Sequence, residues 1–181
     1  MDEPDEALIR RCQAGDTEAF GLLVKRYAGR ATGLAMVLVG NYSDALDVSQ
    51  EAFVRAWRHV RKFRGDSSFF AWYSSILRKV ALTWLGRRHR RKETEPVEAC
   101  PVPAPGADPA VLAEDNEQTE RLWQAILRLA TKHREIIVLS HFENLSYKEI
   151  AGVLEIPIGT VMSRLHAARQ ALRKELSDER P

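Results

Sequence analysis

Cysteine is almost absent from this chain of 181 residues: there are two, Cys12 and Cys100. They lie far apart and match no metal-ligand or redox spacing, which argues against a zinc module or a disulfide scaffold and suits a reducing compartment. Long apolar runs are missing too. No stretch approaches the roughly 18 uninterrupted apolar residues of a membrane span, and the opening "MDEPDEALIRR" is acidic, without the apolar core of a signal peptide. The expectation is a cytoplasmic protein with no direct membrane insertion. Histidines are few and scattered, at His59, His89, His133, His141 and His166, and there is no glycine-rich phosphate loop. No catalytic site, metal site or cofactor is therefore expected.

Net charge is also low, at +2, so only its distribution can argue for a polyanionic partner. That distribution is uneven. Arg78 to Lys92 holds seven Lys or Arg and no acid, and Arg164 to Lys174 adds Arg164, Arg169, Arg173 and Lys174. Against these stand the acidic start and "EDNEQTE" at Glu114 to Glu120. Either basic run alone could be a solvated face; two, in separate halves, favour nucleic acid.

Proline is concentrated where large apolar residues run out. "TEPVEACPVPAPGADPA", Thr94 to Ala110, holds five of the eight prolines, which excludes a helix or a central strand there. The expected organisation is two small helical modules, residues 5–92 and 114–177, joined by a flexible linker over 93–113. The fold class is all-α, since strand-like alternation is scarce and both halves carry apolar residues at helical steps. In the first half, Phe20, Leu23, Val24, Tyr27, Ala31, Leu34, Ala35 and Leu38 form one stripe, with Thr17 as the expected cap and Gly40-Asn41 as the stop. Ala45, Val48, Ala52, Ala56 and Val60 form the next, with Ser43 as its cap. A third helix starts after Gly65, capped by Asp66, Ser67 or Ser68, and runs into the basic stretch.

In the second half, Leu122, Ile126 and Leu129 share a face. "LSYKEIAGVLEIPIGTVMSRLHAAR" then places two helices at a tight corner. Ser146 and Glu149 have capping-box spacing, with Ile150, Ala151 and Leu154 turned inward. Ile156 can plug the corner, and Pro157 suits a first helical turn. Val161, Leu165, Ala168 and Leu172 would face the core, leaving Thr160, Met162, Ser163, Arg164, His166 and Ala167 outward. That is the pattern of a helix-turn-helix, whose second helix enters the major groove. A hairpin that only packs explains the apolar stripe equally well, but not an outer face rich in Ser, Thr and Arg. The corner by itself fits several classes of regulator.

The first half narrows the choice. "SDALDVSQEAF" puts Asp44, Asp47 and Glu51 on one face, with Gln50 beside them and no cation on that face to relieve them, so a basic protein partner is expected. "FRGDSSFFAWYSSILRKVALTWLGRRHRRK" interleaves Phe69, Phe70, Trp72, Tyr73 and Trp84 with cations, the mixture that holds single-stranded nucleic acid.

Taken in order, the "DALDVSQEAF" helix, the "FRGDSSFFAW" loop, the basic helix, the tether and the corner resemble the extracytoplasmic-function (ECF) group of bacterial sigma factors of the sigma-70 family. The resemblance runs from "GDTEAF" to "LRKEL". It implies a sigma-2 domain over 5–92 and a sigma-4 domain with the helix-turn-helix over 114–177, binding core RNA polymerase and promoter DNA without enzymatic activity. Asp44, Asp47, Gln50 and Glu51 would dock on the β′ clamp helices, with the β subunit as a further partner. Arg64, Gly65, Asp66, Ser67, Ser68 and Phe69 would form the loop that takes an unpaired base of the minus-10 element. Trp72, Arg78, Lys79, Arg87 and Arg88 would line the melted strand. Thr160, Met162, Ser163, Arg164, His166, Ala167 and Arg169 would meet the minus-35 duplex. Met162 and Ala167 depart from the family pattern, which often places cations there. An anti-sigma factor covering both domains is the further partner the resemblance implies.

Overall fold

The computed structural model describes residues 3–91 and 116–178, and all regular structure among them is helical. The expected linker at 93–113, its junctions with the two modules, and Cys100 lie outside the described residues. No described helix is long and apolar enough to cross a membrane.

The first module is built around α2 (Thr17–Val39), which packs against α1 (Asp5–Gln13), α3 (Tyr42–His59) and α4 (Phe69–Arg91). The two stripes read from the sequence are inside: Leu23, Ala31, Leu34, Ala35, Ala45, Val48, Ala52, Ala56 and Val60 are essentially solvent-free. Both expected caps move toward the amino end. Asp16, not Thr17, caps α2, accepting from the backbone N–H of Glu18 and Ala19 at 2.9 and 3.1 Å. Its carboxylate is held in place by Arg11 at 2.9 Å, which makes it the better acceptor. Asn41, not Ser43, caps α3 through the N–H of Asp44 at 2.9 Å. Gly40, at φ 86°, has already stopped α2 in the left-handed conformation, so the next residue is free to take the extended cap geometry.

Helix α1 was not anticipated. Its buried residues are Leu8, Ile9 and Cys12, an apolar edge hidden among acids and arginines, and Asp5 ties it to α2 by accepting from Arg26 and Tyr27. The start of α4 supplies an aromatic cluster in which Phe69, Phe70 and Tyr73 pack with Tyr27, Phe53, Phe63 and Trp72.

The second module comprises α5 (Asn116–Arg128), α6 (Thr131–Ile137), which widens into a π turn over Val138–Phe142, α7 (Tyr147–Leu154) and α8 (Ile158–Asp178). The capping box is formed: the Ser146 side chain accepts from the Glu149 N–H, and Glu149 Oε2 accepts from the Ser146 N–H at 3.0 Å. The corner between α7 and α8 turns at Glu155, at φ 55°, with the Ile156 N–H donating to Ala151 O at 3.1 Å. Pro157 stands one place ahead of α8 rather than within its first turn, and its carbonyl accepts from Thr160 and Val161. Val161, Leu165 and Ala168 are buried against the module core, while Leu172 is only half-buried.

The modules touch. Helix α4 lies against α7, and α2 against α6, so one apolar cluster runs through both halves.

Candidate nucleic-acid interface

Helix α3 carries the acidic face. Asp47 and Gln50 are exposed, while Asp44 and Glu51 are half-buried. The expectation that no cation relieves these acids is corrected. Glu51 pairs with Arg55 one turn on, at 2.5 Å, and Asp44 pairs with Arg88 of α4 at 2.6 Å. An i,i+4 step past the quoted motif supplies the first cation; the fold supplies the second. Asp47 and Gln50 therefore form the outward part of the face, and Arg88 is committed to holding α4 on α3, its guanidinium also lying 5.0 Å from the Trp84 ring centre.

The loop ahead of α4 is exposed at Arg64, Gly65, Asp66 and Ser68, with Gly65 at φ 79° making the turn. Ser68 is the cap among the three candidates, its side chain accepting from the Ala71 N–H at 3.3 Å. Phe69 is corrected. Only 2% exposed, it is part of the aromatic core and has no surface for a base. Trp72 is half-buried with an open edge, and together with Asp66, Ser67, Ser75, Lys148 and Glu149 it lines a cavity of about 240 Å³.

Farther along α4, Arg87 is exposed, but Arg78 and Lys79 are engaged by the second module. Arg78 reaches Glu135 of α6 at 2.7 Å, and Lys79 reaches Glu155 at the corner, also at 2.7 Å. Two more carboxylates complete the contact. Glu149 Oε1 accepts from both the backbone N–H and the hydroxyl of Ser68, at 2.9 and 2.6 Å. Glu143 accepts from Arg30 of α2 at 2.7 Å, and the Arg30 guanidinium lies 4.0 Å from the Phe70 ring centre. Arg30 stands apart from both basic runs, so nothing in the charge pattern singled it out.

Burial sets the state of these acids. Desolvation pushes the Glu135 carboxyl above its usual pKa, opposed by the charge of Arg78. Glu143 is raised the same way, against the hydrogen bond from Arg30. At Glu149 burial again pushes upward, but the bonds from Ser68 and Ser146 outweigh it and hold the pKa down at about 2.

Helix α8 presents the outward set. Met162 is 56% exposed, and Ser163, His166 and Arg169 are open as well. Thr160, Arg164 and Ala167 are half-buried along the edges of the same face. Arg169 donates to His141 at 3.2 Å, linking the far end of the face to the π turn. Ile158, 47% exposed, adds an apolar residue one turn before Met162 that the sequence had not marked.

Residues 23–91 match the family model for sigma-70 region 2, and residues 119–172 match that for sigma-70 region 4. Among curated proteins, the chain is 38% identical to the RNA polymerase sigma-H factor of Pseudomonas aeruginosa, over 96% of this chain and 94% of that one. It is 36% identical to the ECF RNA polymerase sigma-E factor of Escherichia coli K12, over 93% and 92%. Among solved structures, CnrH in complex with the cytosolic domain of CnrY matches with a TM-score of 0.70 at 26% identity, over 97% of this chain and 99% of that one. The sigma factor RpoE of Bartonella quintana, in complex with the anti-sigma factor NepR, matches in fold with a TM-score of 0.73 at 23% identity, over 89% and 98%.

Proposed function

The chain belongs to the ECF group of the sigma-70 family, and on that premise we propose that it binds core RNA polymerase, selects promoters by two DNA elements and starts transcription from them. It is a specificity subunit of a family that is not catalytic. The observation that carries this is the joint presence of region 2 and region 4 in one chain that aligns with sigma factors almost end to end.

Within that reading, residues 5–92 dock on the β′ clamp helices and hold the minus-10 strand, 93–113 span toward the minus-35 element, and 114–177 read it. The acidic face of α3, with Asp47 and Gln50 outermost, supports docking on a basic helical surface. Arg64, Gly65, Asp66, Ser67 and Ser68, with Trp72 behind them, supply the open loop and the aromatic edge that an unstacked base needs. Arg87 adds an exposed cation for the strand beyond. On α8, Thr160, Met162, Ser163, Arg164, His166, Ala167 and Arg169 form the surface offered to the major groove. Control by an anti-sigma factor belongs to the same reading, as does work in the cytoplasm, where the polymerase is.

Purified chain mixed with core polymerase at low salt should co-elute with it and direct transcription from a two-element promoter found by mapping start sites after overexpression. Absence of core binding at low salt rejects the reading.

A further inference from the structure

Four glutamates of the second module meet four donors of the first. Glu135 meets Arg78, Glu143 meets Arg30, Glu149 meets the amino end of α4 at Ser68, and Glu155 meets Lys79. We propose that Arg30, Arg78 and Lys79, with the Ser68 end of α4, are one phosphate-binding face of the first module, closed in the free chain by these carboxylates and taken over by the DNA backbone when the modules part. This rests on the reading of the loop and α4 as the minus-10 strand site, and it adds Arg30 to that site as a DNA contact.

The chemistry of the contact is what a phosphate would require. Arg30 offers a guanidinium fork, using Nε on the Glu143 carboxylate at 2.7 Å and Nη2 on the Glu143 carbonyl at 3.3 Å, while its flat face covers the Phe70 ring. Arg78 directs Nε at Glu135 from a site where its side chain is 22% exposed. Lys79 supplies a point charge at the outer rim, where its side chain is 61% exposed. At Ser68, a backbone N–H and a hydroxyl converge on one carboxylate oxygen, as they would on a phosphate oxygen. Each glutamate oxygen thus stands where an anionic oxygen is already bound.

The contact is built for exchange. The Glu135 and Glu143 side chains are only 7% and 5% exposed, so desolvation cancels much of the attraction, and a buried pair of this kind contributes little net stability over water or another anion. Glu149 divides its two oxygens. Oε2 closes the capping box of α7 while Oε1 goes to Ser68, so parting the modules removes only the outer bonds and leaves α7 capped.

The test uses the full chain without polymerase and a single-stranded minus-10 oligonucleotide, made either with phosphodiesters or with uncharged methylphosphonates. Fluorescence anisotropy reads affinity, small-angle scattering reads separation of the modules, and circular dichroism confirms that each variant is helical. Glu143→Gln with Glu155→Gln should expand the chain and tighten phosphodiester binding by about fivefold or more, with no gain for the methylphosphonate. Arg30→Gln should also expand it, but should weaken binding and lower the slope of log affinity on log salt by about one. The exchanged pair Arg30→Glu with Glu143→Arg should close the modules again while binding stays weak. The proposal is overturned if the Glu143→Gln with Glu155→Gln variant binds no tighter than the parent, or if Arg30→Gln binds as tightly as that variant does, since Arg30 would then serve only to hold the modules together. Core binding and transcription, measured separately, decide the reading on which it rests.

Discussion

Glu149 shows how one side chain can serve two structures at once. Because its folded pKa, about 2, lies below the ordinary carboxylate value of 4.5, the unfolded chain binds more protons than the folded one in that interval. The stabilisation it brings is complete above about pH 4.5 and fades as the pH falls toward 2. With solvent screening of a half-buried group, it amounts to about 1 to 2 kcal/mol. Urea unfolding of the parent and of Glu149→Gln should therefore differ by about that much at pH 7 and converge as the pH falls from about 4.5 toward 2; a gap that stays constant into acid would mean the charge is not what matters. Met162 is the complementary case, a large apolar side chain more than half exposed on the face proposed to meet DNA. An apolar tip can touch a thymine methyl but gives nothing to phosphate. Met162→Lys should tighten binding to minus-35 duplexes of any sequence and steepen the salt dependence by about one, while flattening the preference among bases. Anisotropy titrations across a salt series on single-base variants of the element would show both.

At the scale of elements, the stripes, the capping box and the corner were legible because each rests on local spacing: Ile150, Val161 and Leu165 lie inside as their periodicity requires. What the sequence hid depended on partners distant along the chain. Asp44 looks unrelieved until α4 brings Arg88 to it, and Phe69 looks like part of an open loop until Tyr27 and Phe63 close over it. Helix α1 was hidden for a different reason, its three buried apolar residues being too few to stand out among charges. For the proposed docking on α3, this sharpens which acids are offered to a partner. Asp44 and Glu51 each spend a carboxylate within the module, on Arg88 and Arg55, whereas Asp47 is exposed. Asp47→Lys should then lower affinity for core polymerase about tenfold or more without changing thermal stability by more than about 0.5 kcal/mol. Asp44→Asn should do the reverse, loosening α4 and lowering the melting temperature. Native gel shifts with core, alongside calorimetry, separate the two.

For the whole molecule, the compact arrangement and the proposed task set opposing demands. Ser68 at the loop is 2.6 Å from Glu149 at the base of the helix-turn-helix, yet two promoter elements roughly 25 base pairs apart lie on the order of 85 Å from each other along duplex at about 3.4 Å per pair. The closed chain cannot reach both. The segment between Arg91 and Asn116 is long enough to extend by about 80 Å, so covalent length does not forbid opening, and the contacts of α2 and α4 with the second module, ionic and apolar, are what must yield. A cleavable crosslink across the rim tests this directly. In a chain with Cys100→Ser, the pair Lys79→Cys and Glu155→Cys joins two exposed positions, while Cys12 stays buried and burial raises its thiol to a pKa of about 11. The crosslinked chain should still bind core through the exposed face of α3, because that face does not take part in the contact between modules. It should fail to direct transcription from a two-element promoter and, when the link is cut, regain the activity of the same double variant never linked. Full transcription with the link intact would mean that both elements are engaged without parting the modules, and the separation argued from duplex length would be wrong.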